Sequence, residues 1–310
     1  MPGSVFDPRS PGSLAIANLF VITLVMGLVI LTLVTALVLW SAYRYRARGE
    51  DGEPRQRAGI RRLEIGWTVG AFLIILVVFV LTVRTMQAAD PGVEGQPADD
   101  VVITGYQWWW AVRYPQAGVV TANEIHLPAG QRVLARLESA DVIHDFWVPQ
   151  LGRKLDMTPG EPAHLWLQAD TPGVYLGACA EYCGAEHAWM RLRVVVQPPA
   201  EFDAWLRQQA QPAPNPTGGD AARGAQLFQT MTCASCHAIA GTPAQARVGP
   251  DLTHLASRTT LASGVLDNTP DNLRRWLANP QAIKPGTYMP DTQLSDADVR
   301  ALAAYLETLK

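Results

Sequence analysis

The four cysteines of the 310-residue chain lie in two short motifs, and both motifs contain further groups that bind metals. The first motif runs from Cys179 to Met190 and includes Cys183 and His187. Two thiols, an imidazole and a thioether form a soft donor set that suits copper and not magnesium or calcium. A site with one copper needs a single cysteine, whereas this pair can bridge two coppers. A disulfide between Cys179 and Cys183 is the alternative.

The second motif, Cys233-Ala-Ser-Cys236-His237, has the C-x-x-C-H pattern of c-type haem attachment. The two cysteines would form thioether bonds to the haem, and the adjacent histidine would bind its iron. A redox dithiol is one alternative. Half a zinc site is another, although the sequence has no second C-x-x-C pair to complete it.

Two long apolar runs indicate how these motifs are anchored. Residues 14–40 and 65–83 contain no charged residue, and each run can cross a bilayer as a helix. The sequence therefore predicts two transmembrane helices, at about 14–42 and 64–86. A cleaved signal peptide is the rival interpretation of the first run, but that run is too long and has only Arg9 as a basic residue before it.

The segment between the two runs is rich in arginine, and such short loops stay in the cytoplasm. Its basic residues are Arg44, Arg46, Arg48, Arg55, Arg57, Arg61 and Arg62. Both termini and everything after the second helix would then lie on the outer, periplasmic side of a bacterial plasma membrane. Covalent haem attachment is possible in that compartment.

Short apolar runs separated by proline and glycine follow the second helix and predict a β-sandwich. The predicted strands are 101–106, 131–138, 164–168 and 190–196. A short helix at 201–209 and a Pro-rich linker at 211–219 come next. The remaining residues predict a helical domain with helices at 220–230, 270–278 and 295–309, the last capped by Ser295.

The distribution of charge excludes one class of partner and favours another. The net charge is −3, and residues 88–217 hold 8 basic and 15 acidic residues. Outside the loop between the helices there is no basic patch for a nucleic acid. The acidic excess favours a basic protein partner through electrostatic steering.

With these motifs in view, the chain resembles subunit II of haem-copper cytochrome c oxidase. The family's pattern C-x-E-x-C-x3-H-x2-M for the binuclear copper centre CuA is present at 179–190 without a gap, and its distant histidine is present as His144. The resemblance implies that both cysteines bridge the two coppers. The implied CuA ligands are His144, Cys179, the carbonyl oxygen of Glu181, Cys183, His187 and Met190. It also implies that the Glu181 side chain binds a magnesium ion at the border with subunit I.

Two further residues match positions with a role in the family. Trp108, the first of three consecutive tryptophans, resembles the residue that receives electrons from cytochrome c. Three tryptophans on a strand would otherwise indicate packing. Glu64 resembles the glutamate at the mouth of a proton channel of subunit I, and an interfacial glutamate before a helix is the alternative. The family's usual proline in that helix is Ala71 here.

The C-terminal part resembles a class I cytochrome c. Met289, in Lys284-Pro-Gly-Thr-Tyr-Met289-Pro290, matches that family's second axial iron ligand, opposite His237. The alternatives are that Met289 only fills the core, or that His254 binds the iron. His126 and His164, like His254, are interpreted as structural.

Taken together, the resemblance implies subunit II of a caa3-type, proton-pumping oxidase. The implied fold is a two-helix transmembrane hairpin (1–88), an all-β cupredoxin-like CuA domain (89–210), a linker (211–219) and an all-α cytochrome c domain (220–310). Electrons would come from a c-type cytochrome or a membrane complex, and subunits I and III would be partners. The alternatives are a nitric oxide reductase-type enzyme and a copper and haem redox sensor. Quinol oxidases of the family lack the copper ligands found here.

Overall fold

The computed structural model describes residues 3–46, 59–90, 92 and 98–310. It divides into two compact units, which we describe separately. One unit, residues 14–92, contains most of both apolar helices. The other contains the N-terminal residues up to Ser13 and everything from Val93 onward.

Two long apolar helices make up the first unit. Helix α1 spans Pro11–Arg44 and α2 spans Arg61–Ala89. The most apolar 18-residue windows of these helices have mean hydropathies of 2.8 and 2.6, so both are long and apolar enough to cross a membrane. Each extends a few residues beyond its predicted ends. The middle of the arginine-rich loop, including Arg48, Arg55 and Arg57, lies outside the described residues.

The second unit begins with a sandwich of two five-stranded sheets. One sheet has the order β3-β2-β1-β5-β8 and the other has the order β4-β10-β9-β6-β7. The strands are β1 (Val101–Tyr106), β2 (Trp109–Tyr114), β3 (Val119–Ala122), β4 (Glu124–Pro128), β5 (Val133–Ser139), β6 (His144–Trp147), β7 (Leu155–Met157), β8 (Ala163–Leu167), β9 (Gly173–Cys179) and β10 (Arg191–Gln197).

Alternating burial explains why these sequences form two facing sheets. In β10, Leu192, Val194 and Val196 are buried, and the residues between them are partly exposed. Such alternation turns every second side chain of a strand toward the core. The largest side chains between the sheets include Trp110 and Phe146, whose rings meet edge to face with centroids 6.0 Å apart.

The chain then continues into helices. Helix α3 (Pro199–Gln209) places Trp205 against the sandwich, where its ring stacks on His126 with centroids 3.9 Å apart. The C-terminal helical region, which we define as residues 219–310, contains α4 (Gly219–Thr230), α5 (Pro270–Ala278), α6 (Pro280–Ile283) and α7 (Asp296–Leu306). It also has one short pair of strands, β11 (Thr260–Leu261) and β12 (Leu266–Asp267).

Helices α4 and α7 cross at close range at the centre of the C-terminal helical region. A Cβ atom added to Gly224 would lie 2.0 Å from the carbonyl oxygen of Ala301, so the crossing requires glycine. Phe228 and Tyr305 pack beside it, with ring centroids 6.0 Å apart. The Ser295 side chain accepts a hydrogen bond from the Asp298 amide, which confirms the predicted cap of α7.

This architecture confirms the predicted fold class: two apolar helices, a cupredoxin-like β-sandwich and a helical cytochrome c region. The helical region differs from an all-α domain only by the short β11–β12 pair. Residues of the predicted linker are bound to the helical region, because the Ala213 amide donates to the carbonyl oxygen of Ala240 and His254 Nε2 lies 3.1 Å from the carbonyl oxygen of Gln211.

Candidate metal centre and haem pocket

Strand pairing brings the distant His144 to the cysteine motif. His144 begins β6, which pairs with β9 so that Phe146 lies opposite Cys179. The chain leaves β9 at Cys179, forms a loop through Cys183 and a 3₁₀ turn, and enters β10 after Met190. The loop is thus held at both ends by neighbouring antiparallel strands.

The donor atoms of this motif converge in a small volume. The two cysteine sulfurs are 3.7 Å apart, so the thiols are free and no disulfide joins them. The other distances are Cys179 Sγ to His144 Nδ1, 3.9 Å; Cys179 Sγ to the Glu181 carbonyl oxygen, 3.2 Å; Cys183 Sγ to His187 Nδ1, 3.6 Å; and Cys183 Sγ to Met190 Sδ, 3.8 Å. The sulfur-rich set fits copper.

Outer contacts orient the histidine. His144 Nε2 lies 2.7 Å from Asp141 Oδ1, which leaves Nδ1 facing the sulfur of Cys179. A Cβ on Gly105 would come within 2.8 Å of the imidazole, so only glycine leaves room for the ring there. Carboxylate contacts of this kind fix the tautomer and orientation of metal-binding histidines.

The electrostatics of the cysteine pair favour a thiolate at this position. The hydrogen bond from Cys183 is the largest cause of a pKa of Cys179 far below its ordinary value, and the same contact raises the pKa of Cys183. Burial lowers the pKa of His144, but its contacts with Cys179 and Asp141 outweigh burial and raise it overall. These opposite shifts favour a thiolate at Cys179, which suits a metal ligand.

A cavity in the C-terminal helical region contains every predicted haem-binding side chain. Cys233, Cys236, His237 and Met289 all line it. Much of the rest of the wall is apolar, from residues such as Phe228, Leu252, Leu273, Leu277, Leu302 and Leu306. An apolar cavity lined by two thiols, an imidazole and a thioether fits a covalently attached haem.

The surroundings of His237 favour a neutral imidazole with one defined tautomer. Its Nδ1 donates to the carbonyl oxygen of Pro250 at 2.7 Å, so the lone pair lies on Nε2. Burial lowers the pKa of His237, which keeps the ring uncharged. A Cβ on Gly249 would come within 2.6 Å of the imidazole, so the chain before Pro250 packs directly against the ring.

The two candidates for the second axial ligand have different surroundings. The backbone of Met289 is held by Gln281, whose amide donates to the Met289 carbonyl oxygen at 2.9 Å, and its side chain lines the cavity. Both ring nitrogens of His254 lie near carbonyl oxygens, at 2.7 Å from Lys310 and 3.1 Å from Gln211. His254 therefore ties chain segments together, in line with its interpretation as structural.

Trp108 occupies a turn between β1 and β2, so the alternative of three tryptophans on one strand does not apply to it. Its indole Nε1 donates to the Cys183 carbonyl oxygen at 3.0 Å, so it contacts the copper-binding loop directly. On its other side, the ring of Tyr288 lies 4.9 Å away between centroids. Trp108 also lines the haem pocket and is only 7% exposed.

Two further predicted site residues are exposed glutamates. Glu181 turns its carbonyl oxygen toward Cys179, while the residue as a whole is exposed. Glu64 lies in the first turn of α2 and is exposed there. The Thr68 hydroxyl donates to the backbone carbonyl oxygen of Glu64 at 2.8 Å.

Sequence analysis missed a buried lysine between the two sites. Lys284 is 3% exposed, and its Nζ donates to the Trp108 carbonyl oxygen at 3.0 Å and lies 3.9 Å from Glu186 Oε2. Burial lowers the pKa of Lys284 to about 8, and Glu186 opposes that shift. The only signal in the sequence was its place in the segment 284–290 that contains Met289, which we call the Met289 loop. Its partners, Trp108 and Glu186, are far away along the chain.

Two family models match the chain. One, described as "Cytochrome C oxidase subunit II, periplasmic domain", matches residues 118–197. The other, described as "Cytochrome c", matches residues 221–310. The first range contains all six implied copper ligands, and the second contains the C-x-x-C-H motif and Met289.

Several curated proteins are similar to large parts of the chain. Cytochrome c oxidase subunit 2 of Alkalihalophilus pseudofirmus is 35% identical, and the alignment covers 99% of this chain and 91% of the relative. Cytochrome c oxidase subunit 2 of Bacillus sp. strain PS3 is 34% identical, and the alignment covers 86% of this chain and 79% of the relative. Quinol oxidase subunit 2 of Bacillus cereus is 30% identical, and the alignment covers 69% of this chain and 75% of the relative.

Proposed function

Because the chain belongs to the family of cytochrome c oxidase subunit 2, we propose that it is the electron-accepting subunit of a caa3-type oxidase. Electrons from a reduced c-type cytochrome or a membrane complex pass to haem c, then to CuA, and then to the haem-copper centre of subunit I. There oxygen is reduced to water, and protons are translocated. The observation that carries this proposal is Trp108, which touches both the copper-binding loop and the haem pocket.

Copper and haem c are the groups that the two matched domains imply. The proposed CuA ligands are His144, Cys179, the Glu181 carbonyl oxygen, Cys183, His187 and Met190. When bound, the copper pair supplies a one-electron carrier. The chain contributes a loop fixed between β9 and β10, whose stiffness limits rearrangement when the charge of the site changes.

For haem c, we propose thioether bonds to Cys233 and Cys236, with His237 and Met289 as axial ligands. Methionine as the second ligand raises the potential of the iron, which suits a carrier that feeds copper. The chain's own contribution is the hydrogen bond from His237 to Pro250, which fixes the tautomer, and the apolar wall, which excludes water.

Proton and magnesium roles are proposed from the family resemblance and from position. Glu64 lies at the start of α2, where a membrane helix leaves the cytoplasmic loop in the proposed orientation. Glu181 is an exposed residue of the copper-binding loop, and its side chain would bind magnesium together with subunit I. The family places this chain in a membrane complex with subunit I. Subunit III is a further proposed partner.

We propose that both termini and the two soluble domains lie on the periplasmic side. Contacts of the N-terminal segment support this orientation. The Ser10 hydroxyl donates to the Leu151 carbonyl oxygen at 2.7 Å, and the Ser13 hydroxyl donates to that of Gln150 at 2.8 Å. The N-terminal segment up to Ser13 is thereby bound to the sandwich. We retain 1–88, 89–210, 211–219 and 220–310 as the proposed domain boundaries.

Purification of the complex from membranes tests this function. We expect two coppers and one haem c in this chain, a near-infrared CuA absorption band, and oxygen consumption driven by reduced cytochrome c. Consumption of nitric oxide but not oxygen would instead support the reductase alternative. Copper and haem without any associated subunit I would support a redox sensor. Turnover driven by quinol in a preparation without copper would contradict the proposal.

A further inference from the structure

The sandwich and the C-terminal helical region share an interface that contains two buried charges. Glu124, at the start of β4, is 2% exposed, and Lys284, in the Met289 loop, is 3% exposed. Each of them has its hydrogen-bond partners in the other domain. Because a buried charge without partners is strongly unfavourable, both residues favour contact between the domains.

Glu124 is the better-satisfied of the two charges. Its Oε1 accepts from the Thr259 amide at 2.8 Å and from the Thr259 hydroxyl at 2.5 Å. It also lies within hydrogen-bond distance of the Thr260 amide, at 3.1 Å, and of the Thr260 hydroxyl, at 3.3 Å. The neighbouring Arg258 donates through Nε to the Thr121 hydroxyl at 3.2 Å. We call Glu124 together with Thr259 and Thr260 the carboxylate clamp.

The carboxylate clamp is continuous with the contacts around Trp108. The Ser263 hydroxyl, three residues after Thr260, lies 2.9 Å from the Trp108 carbonyl oxygen, and Lys284 Nζ donates to the same oxygen. Tyr288 donates its hydroxyl hydrogen to Gln107 Oε1 at 2.9 Å. The segment held by Glu124 is therefore part of the surface that covers Trp108.

We propose that Glu124 is a positioning residue that holds the cytochrome c region on Trp108, so that this surface is occupied by the chain itself. The consequence is that an external donor delivers electrons to haem c and does not reach Trp108. This consequence rests on the proposed function. Glu124 does not contact the implied copper or haem ligands. It acts through the distance between the two domains.

The test compares Glu124→Ala with Glu138→Gln in the full-length chain within the purified complex. Glu138 is a matched carboxylate on β5 that pairs with Arg136 in the same strand. In Glu124→Ala we expect electron transfer from haem c to CuA to slow by about tenfold or more, because hydrogen bonds to a charged group are lost. Glu124→Gln keeps an acceptor, so its rate should recover part of that loss. The CuA and haem c spectra should be unchanged in all three variants.

Hydrogen exchange supplies a readout that does not require electron transfer. Amide exchange at 258–263 and at 106–109 should accelerate in Glu124→Ala and remain normal in Glu138→Gln. Normal amide exchange and a normal rate of electron transfer in Glu124→Ala, with both spectra intact, would overturn the proposal. If the parent complex lacks CuA or haem c, the proposed function fails, while the exchange measurement still tests the clamp.

A second variant keeps the test decisive if Glu124→Ala does not fold. Thr259→Val with Thr260→Val removes two of the four donors from the other side of the clamp and preserves Glu124. We expect about threefold slower electron transfer and faster exchange at 106–109. Unchanged values for both would overturn the proposal.

Discussion

At the scale of single residues, two histidines are held by hydrogen bonds that leave one nitrogen free for a metal. His144 contacts Asp141 through Nε2, and His237 donates through Nδ1 to Pro250. The free nitrogen is Nδ1 in one site and Nε2 in the other. The sequence identifies both histidines by their motifs, but the nitrogen that faces the metal depends on partners that only the folded chain provides.

We predict that Cys183→Ser abolishes the CuA centre. A serine hydroxyl is a hard, weak donor for copper, so the site loses one of its two soft bridging ligands. The near-infrared band should disappear and the copper content should fall, while the haem c spectrum is retained. Tyr182→Phe is the neighbouring control, because Tyr182 is 76% exposed. A normal CuA signal in Cys183→Ser would refute the ligand assignment.

Met289→Ala should lower the reduction potential of haem c. Loss of the thioether removes the ligand that favours ferrous iron, and a shift of roughly 100 mV or more is expected. A redox titration of the haem absorbance measures it. Met231→Leu, at the end of α4, is the control and should leave the potential unchanged. An unaltered potential in Met289→Ala would exclude Met289 as an axial ligand.

At the scale of secondary-structure elements, the longer helices and four of the strands were predictable, whereas the other strands of the sandwich, including the seven-residue β9, were not. The strand at 101–106 and the helices at 220–230 and 270–278 match the structure to within a residue. Strand β6 was missed because four residues are too few to show alternation, and β7 has only three. The turn at Trp108 was not predicted, because it lies within a run of aromatic residues.

Gly224→Ala tests the close crossing of α4 and α7. The added methyl group would overlap the Ala301 carbonyl oxygen, and the helices would have to separate. We expect the C-terminal region to lose about 1–3 kcal/mol of unfolding free energy, measured by thermal or denaturant unfolding followed at the haem. Gly218→Ala, at the N-cap of the same helix with no atom within 4 Å of the new Cβ, creates no overlap, so it should lower the unfolding free energy by less than Gly224→Ala does. Equal stability of the two variants would contradict the packing account.

At the scale of the whole soluble unit, the domain contacts change the expected role of the linker. The Pro-rich composition of residues 211–219 predicts a linker, and such a tether raises the local concentration of the donor. In the structure, Gln211 and Ala213 are bound to the helical region, and Glu124 and Lys284 make buried contacts between domains. The hydrogen-bonded pair Lys284 and Trp108, for example, is separated by 176 residues. Pairs that are so far apart along the chain leave no pattern in the sequence.

Because these contacts are buried, the rates of the internal and external electron-transfer steps should depend differently on salt concentration. Electron transfer from haem c to CuA should change by less than about twofold as ionic strength rises, since buried contacts are poorly screened. Reduction of haem c by an external cytochrome should slow, because that encounter depends on exposed charges. Stopped-flow measurements over a salt series compare the two rates. A strong salt dependence of the internal step would show that the domains dock only transiently.

The central claim is that electrons cross from haem c to CuA within this one chain, and time-resolved spectroscopy of the purified oxidase tests it most directly. A photoexcited donor reduces haem c, and the haem absorbance and the near-infrared CuA band are recorded together. We predict that haem c reoxidises as CuA becomes reduced, with one shared rate constant that does not depend on protein concentration. Haem c that stays reduced, or CuA that becomes reduced without any change at haem c, would contradict the account.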